Sequence, residues 1–287
     1  MSLKKFPSIL NIRKPSSLAS DIFKRKYVED IPRPIEGRYA VRGMGLNCLR
    51  TGSGHSIFCL PGSLGTIWTD FEPQISGFNL NKYSLNVWDP PGYGKSRPPE
   101  RTFPLNFYER DADWAAELIK KFEIQPCSLL GWSDGGITAI ILAAKYPELV
   151  KKLVIWGANA YLTDLDIQRY KSIEDISKWS PSMRNALTNI YGEELLQYLM
   201  TSWVNAMVAI RDYRKGNICQ DFVGNVKAET LILHGEKDPL VPRFHVEYLF
   251  ERMGITSLHF FPEGKHNIHI KYAKEFNEIV QKFLFGL

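Results

Sequence analysis

The chain has 287 residues, 44% of them apolar and 23% charged, close to the average for a folded globular protein. A length of this order suits one large α/β domain with a modest insertion and argues against disorder over most of the chain. The formal charge of +5 comes from the segment ending at Val28, where Lys4, Lys5, Arg13, Lys14, Lys24, Arg25 and Lys26 stand against Asp21 alone; the near-neutral remainder argues against a nucleic-acid-binding face.

In chain order the first element is a basic extension, residues 1–35, punctuated by apolar residues such as Phe6, Ile9, Leu10 and Ile12. This is the composition of a mitochondrial transit peptide, although Pro7 and Pro15 would interrupt a continuous amphipathic helix. The alternative is a flexible or surface-docked extension. It lacks the apolar core of a secretory signal. No run approaches the ~18 to 20 apolar residues of a membrane span, and Cys48, Cys59, Cys127 and Cys219 show no metal-like spacing. They read as reduced thiols. The expectation is an intracellular monomer, mitochondrial if the arm is a targeting segment and cytoplasmic otherwise.

Two β-like runs, 38–42 and 46–50, flank Gly43-Met44-Gly45 and predict an opening hairpin. A strand over 56–60 ends in Pro61-Gly62-Ser63, a helix follows over 70–77, and a strand over 83–88 ends in the turn-rich Asp89-Pro90-Pro91-Gly92-Tyr93-Gly94. A helix over 109–122, a strand over 127–131, a helix over 136–145 and a strand over 152–156 continue the alternation. The pattern predicts a mostly parallel, doubly wound sheet. Residues 158–227 lack a buried-strand run and carry Trp179 and Trp203, which reads as a small helical cap inserted into a core formed by 36–157 and 228–287. Strands over 230–234 and 258–261 and a final helix with the apolar face Phe276, Ile279, Val280, Phe283 and Leu284 complete that core.

The sharpest chemical signal is Gly131-Trp132-Ser133-Asp134-Gly135, directly after a strand and before an Ala-rich helix. A strained turn in that place lifts a serine hydroxyl into a cleft, which makes Ser133 the candidate nucleophile. A serine needs an imidazole to take its proton and a carboxylate to orient that imidazole. In this fold the acid and then the histidine follow the serine at later strand ends. Asp238, in Gly235-Glu236-Lys237-Asp238-Pro239, and His266, in Glu263-Gly264-Lys265-His266, fit that order. Glu236 is the rival acid and His269 the second choice for base, while His234 reads as a satisfied buried histidine. The N–H groups of Asp134 and of Ser63 or Leu64 are the expected oxyanion donors.

No cofactor or metal is expected. His266-x-x-His269 lacks an H-E-x-x-H pattern or a cysteine partner. Gly94-Lys95-Ser96 lacks the first glycine of a phosphate-binding loop, and no G-x-G-x-x-G follows a strand.

The run from Gly131 to Ala139, Val154 to Tyr161 (VIWGANAY), His234 to His245 (HGEKDPLVPRFH) and Pro262 to His269 (PEGKHNIH) closely resemble the biphenyl hydrolase-like proteins, also called valacyclovir hydrolases. The resemblance runs from about Gly45 to the C-terminus. It implies the α/β-hydrolase fold, the triad Ser133, Asp238 and His266, and an esterase for α-amino-acid esters, including ester prodrugs. It also implies that the Asp134 carboxylate pairs with the substrate α-ammonium group; the alternative is that Asp134 only favours the positive end of the following helix. The competing functions are a carbon–carbon bond hydrolase of ring-cleavage products and a slow-turnover binding protein of the same fold. The only partner expected is a small-molecule ester.

Overall fold

The computed structural model describes residues 34–286. The basic arm therefore lies almost wholly outside the described residues.

Eight strands, β1 (Ile35–Val41), β2 (Met44–Gly52), β3 (His55–Leu60), β4 (Tyr83–Trp88), β5 (Cys127–Trp132), β6 (Val150–Trp156), β7 (Glu229–Gly235) and β8 (Thr256–Phe261), form one sheet. Their order across it is β1-β2-β4-β3-β5-β6-β7-β8. The pairs β1–β2 and β2–β4 are antiparallel and all others are parallel. The mostly parallel sheet expected from the strand and helix alternation is the sheet observed.

Side chains alternate across the parallel strands. On β6, Leu153 and Ile155 enter one core, and Val154 and Trp156 enter the other, because successive residues of a strand point to opposite faces. Helices Phe107–Lys121 and Asp134–Lys145 cover the first face; Ile67–Asp70, Glu72–Gly77 and Ala273–Phe285 cover the second. On the last helix Phe276, Val280 and Leu284 are buried, with Ile279 and Phe283 half-buried beside them. Each fully buried side chain of this kind contributes roughly 1.5–3 kcal/mol.

Two elements differ from expectation in more than their end residues. The hairpin turns at Arg42-Gly43, with φ of 47° and 81°, and Met44 and Gly45 pair with Val41 and Ala40 inside the ladder. Positive φ at both central residues is what a two-residue hairpin turn needs to match strand twist. The helix expected over 70–77 is two helices broken at Phe71. Thr66 caps the first, and Pro73 falls in the first turn of the second, where its missing N–H costs nothing.

Between β6 and β7 run helices Asp164–Ser172, Pro181–Tyr191, Glu193–Tyr213 and Gln220–Val223, with no strand of the sheet among them. Leu196, Leu199, Met200, Trp203, Val204, Met207 and Ile210 form the buried stripe of the longest, at helical spacing. This segment is fastened to the rest of the fold. Tyr191 donates its hydroxyl to the Leu64 carbonyl at 2.8 Å and accepts from the Gly94 N–H at 3.1 Å, and His245 Nε2 lies 3.0 Å from Asp166 Oδ1 with both side chains buried. All four cysteines are buried and free, Cys48, Cys59 and Cys127 on strands. Among the described residues no helix is long and apolar enough to cross a membrane.

Candidate active site

Ser133 stands between β5 and the helix that starts at Asp134, with φ 54° and ψ −120°. An L-residue adopts positive φ at a cost, and here the surroundings enforce it. The Ser133 N–H donates to the Trp156 carbonyl at 2.9 Å, and its carbonyl accepts from Gly136 and Ile137 at 2.9 and 3.1 Å. Close packing around the bend requires glycine. A Cβ on Gly131 would lie 2.5 Å from the Gly135 carbonyl oxygen, and one on Gly135 would lie 2.0 Å from that of Leu60.

The acid and base come from the ends of β7 and β8. Asp238 Oδ2 lies 2.8 Å from His266 Nδ1, while Oδ1 accepts from the Leu240 and Val241 N–H groups at 2.8 and 3.0 Å. Burial opposes the charge on Asp238, but His266 and the two backbone donors outweigh it and hold the carboxyl below its usual range. Burial likewise opposes a proton on His266, but Asp238, helped by Asp134 and Asp70, raises it above the ordinary imidazole value. Trp132 fixes the loop by donating its indole N–H to the His266 carbonyl at 3.0 Å. Ser133, Asp134 and His266 line one cavity.

The rival residues are placed elsewhere. Glu236 points outward and pairs with Arg243 at 3.1 Å. His269 is fully buried and accepts the Trp156 indole N–H on Nδ1 at 2.9 Å; burial pushes it down to about 3. His234 is buried as expected, its Nδ1 meets no hydrogen-bond partner among the described residues, and burial pushes it down to about 4. Among the described residues no group of three or more His, Cys, Asp or Glu could hold a metal ion.

The loop after β3 passes over the serine: a Cβ on Gly62 would lie 3.4 Å from Ser133 Cβ. The Gly62 N–H donates to Asp70 Oδ2 at 2.9 Å. No acceptor takes the N–H of Ser63 or of Asp134 among the described residues.

Asp134 is buried at 7% exposure and enters no ion pair within 4.0 Å among the described residues. Tyr108 donates its hydroxyl to Oδ1 and Trp203 its indole N–H to Oδ2, each at 2.8 Å. Burial pushes the carboxyl up to about 6 against the pull of these donors and of Arg101. Arg101 is itself buried and held by Asp111 at 2.5 Å. The sequence reading missed Tyr108 and Arg101 and saw in Trp203 only a marker of the cap. They are distant in the chain and share no motif with the serine.

An eight-stranded, mostly parallel sheet with a strained serine at a strand-to-helix elbow defines a serine hydrolase of the α/β-hydrolase fold. The chain belongs to the family described as serine aminopeptidase, S33, which matches residues 64–271. It is 49% identical over 248 residues to Serine hydrolase BPHL of Mus musculus, covering 86% of this chain and 85% of that protein. The Homo sapiens protein of the same name is 47% identical with the same coverage. These relatives bear out the resemblance to the biphenyl hydrolase-like proteins. A more distant likeness, 25% identical over 78% of this chain and 83% of the relative, is to the 2-hydroxy-6-oxononadienedioate/2-hydroxy-6-oxononatrienedioate hydrolase of Escherichia coli (strain K12). A meta-cleavage product hydrolase from Pseudomonas fluorescens IP01, solved as a serine-to-alanine mutant complexed with acetates, shares the fold with a TM-score of 0.71 and 21% identity, covering 88% of this chain and 97% of that one.

Proposed function

We propose that the protein is a serine esterase for α-amino-acid esters, working through an acyl-enzyme. Ser133 Oγ attacks the ester carbonyl as His266 takes its proton, and Asp238 keeps Nδ1 protonated so that Nε2 faces the serine. The N–H groups of Asp134 and Ser63 donate to the carbonyl oxygen as it becomes an oxyanion. His266 returns the proton to the departing alkoxide, then deprotonates the water that releases the amino acid. Throughout, the Asp134 carboxylate pairs with the substrate α-ammonium group and holds the carbonyl near the hydroxyl.

The observation that carries this reading is a buried carboxylate beside the nucleophile that is hydrogen-bonded by two neutral donors. Burying an unpaired charge is expensive, and a cation supplied by the substrate offsets that cost when it binds. The same charge would repel the dianions for which the Escherichia coli relative is named. The family's description as aminopeptidases also points to enzymes that act beside a free α-amine.

The test is kcat/KM for aminoacyl esters, their N-acetyl counterparts and the matching aminoacyl anilides. Free-amine esters are expected to be the best substrates, and Asp134→Asn to lower their kcat/KM by about ten- to a hundredfold, the range for a hydrogen bond to a charged group. An equal loss on the N-acetyl esters would contradict the pairing.

A further inference from the structure

Asp134 is gripped from two parts of the chain. Tyr108 belongs to a core helix, Phe107–Lys121, and Trp203 to the longest cap helix, Glu193–Tyr213; their donors reach different oxygens of the same carboxylate, each at 2.8 Å. Both donors are buried, and both side chains line the cavity that holds Ser133 and His266. A carboxylate oxygen carries two lone pairs, so each oxygen keeps one for a further donor. The character of the donors matters as much as their number. A lysine or arginine in either place would cancel the charge, whereas a phenol and an indole stabilise the anion and leave its charge intact.

We propose that Tyr108 and Trp203 are positioning residues that set specificity for a free α-amine, holding the Asp134 carboxylate ionised and in one orientation with a lone pair on each oxygen turned to the substrate. This deepens the amino-acid esterase reading and rests on it. Burial works the other way on Asp134, and the two hydrogen bonds oppose it. Removing either donor makes the carboxylate easier to protonate.

The experiment is the pH dependence of kcat/KM, from about pH 5 to 8, for one aminoacyl ester and its N-acetyl counterpart with the parental protein, Tyr108→Phe and Trp203→Phe. Each variant is expected to move the acid limb of the free-amine to N-acetyl ratio, from which the His266 titration common to both substrates cancels, upward by about one pH unit, the scale of one hydrogen bond to a charged group; Arg101, Asp111 and His266, the other charged groups that act on Asp134, are unchanged in both variants. On the acid side, the ratio of free-amine to N-acetyl rates should then fall about tenfold. A purely structural role would lower both substrates alike and leave the limb in place, and that result overturns the proposal. Should Trp203→Phe fail to fold, Tyr108→Phe, which removes a single oxygen, decides the matter alone. Asp134→Asn separates the two levels. If it abolishes the free-amine preference while Tyr108→Phe leaves the limb unmoved, ammonium pairing stands and the positioning role falls. If Asp134→Asn keeps the preference, both fall.

Discussion

A Cβ on Gly157 would stand 2.8 Å from Cε1 and 3.0 Å from Nδ1 of His266, so the imidazole occupies the space of the side chain this residue lacks. Gly157 follows the end of β6 with φ of 60°, a conformation that costs an ordinary residue about 1–2 kcal/mol. Gly157→Ala should therefore displace the ring and lower kcat by about a hundredfold. The loss of stability should stay near the backbone cost, read from urea unfolding. An unaltered kcat would show that the ring has room elsewhere.

Asp238 does two jobs with two oxygens, orienting His266 with one and tying down the Leu240 and Val241 N–H groups with the other. Asp238→Asn can keep the second job by presenting its carbonyl oxygen to the backbone, but its NH₂ cannot accept the imidazole N–H. The variant should retain a near-parental melting temperature and lose about 10³- to 10⁴-fold in kcat, the scale seen when a serine enzyme's histidine is left in the wrong tautomer. Asp238→Ala should lose activity and stability together, since it strands buried backbone donors at roughly 1–3 kcal/mol each.

The acid limb of activity should depend on the substrate. His266 must be neutral to act as base, and despite burial Asp238 holds it above the ordinary imidazole value. Hydrolysis of N-acetyl esters should then fall on the acid side with a limiting slope of one in log kcat/KM. On the proposed pairing, free-amine esters also need Asp134 charged, and burial places that carboxyl at about 6, so their slope should approach two. On the alkaline side they should decline again as the α-ammonium group loses its proton near ~8. Identical profiles for the two substrates would contradict the role of Asp134.

Acid should also weaken the fold through histidines that take no part in catalysis. Burial holds His269 down to about 3 and His234 down to about 4, against 6.5 for an ordinary imidazole. The unfolded chain binds these protons below about 6.5 and the folded chain does not, so stability is full above that pH and falls as the pH is lowered. Asp70 acts in the opposite sense. Burial pushes it up to about 7 from 3.8, so the proton it keeps in the fold stabilises at low pH, and that contribution is lost as the pH rises through 7. His269→Gln, whose side-chain carbonyl can still accept the Trp156 indole N–H, should flatten the dependence of melting temperature on pH below 6.5. A slope equal to the parental one would show that His269 is not the source.

What was legible in the sequence was local. Glycines on both sides of Ser133 announced the elbow, and the turns after residues 234 and 261 announced Asp238 and His266, because each lies where a buried strand must end. The surroundings of Asp134 were not legible. Tyr108 and Trp203 meet it from two helices far apart in the chain, Phe107–Lys121 and Glu193–Tyr213, and no spacing records that contact. The misplaced hairpin turn has a similar cause. Gly45 reads as a turn residue in isolation, but the ladder pairs it with Ala40, and cross-strand register decides. At Phe71 the signal was present, since Pro73 marks a new first turn, and the apolar pattern hid it.

Catalysis through a covalent intermediate on Ser133 is tested most directly by intact-mass spectrometry of the protein quenched during turnover of an aminoacyl ester, followed by peptide mapping. An aminoacyl adduct on Ser133 is predicted in the parental chain, and neither adduct nor turnover in Ser133→Ala. Turnover that survives in Ser133→Ala, or an adduct mapped to another residue, would contradict the mechanism.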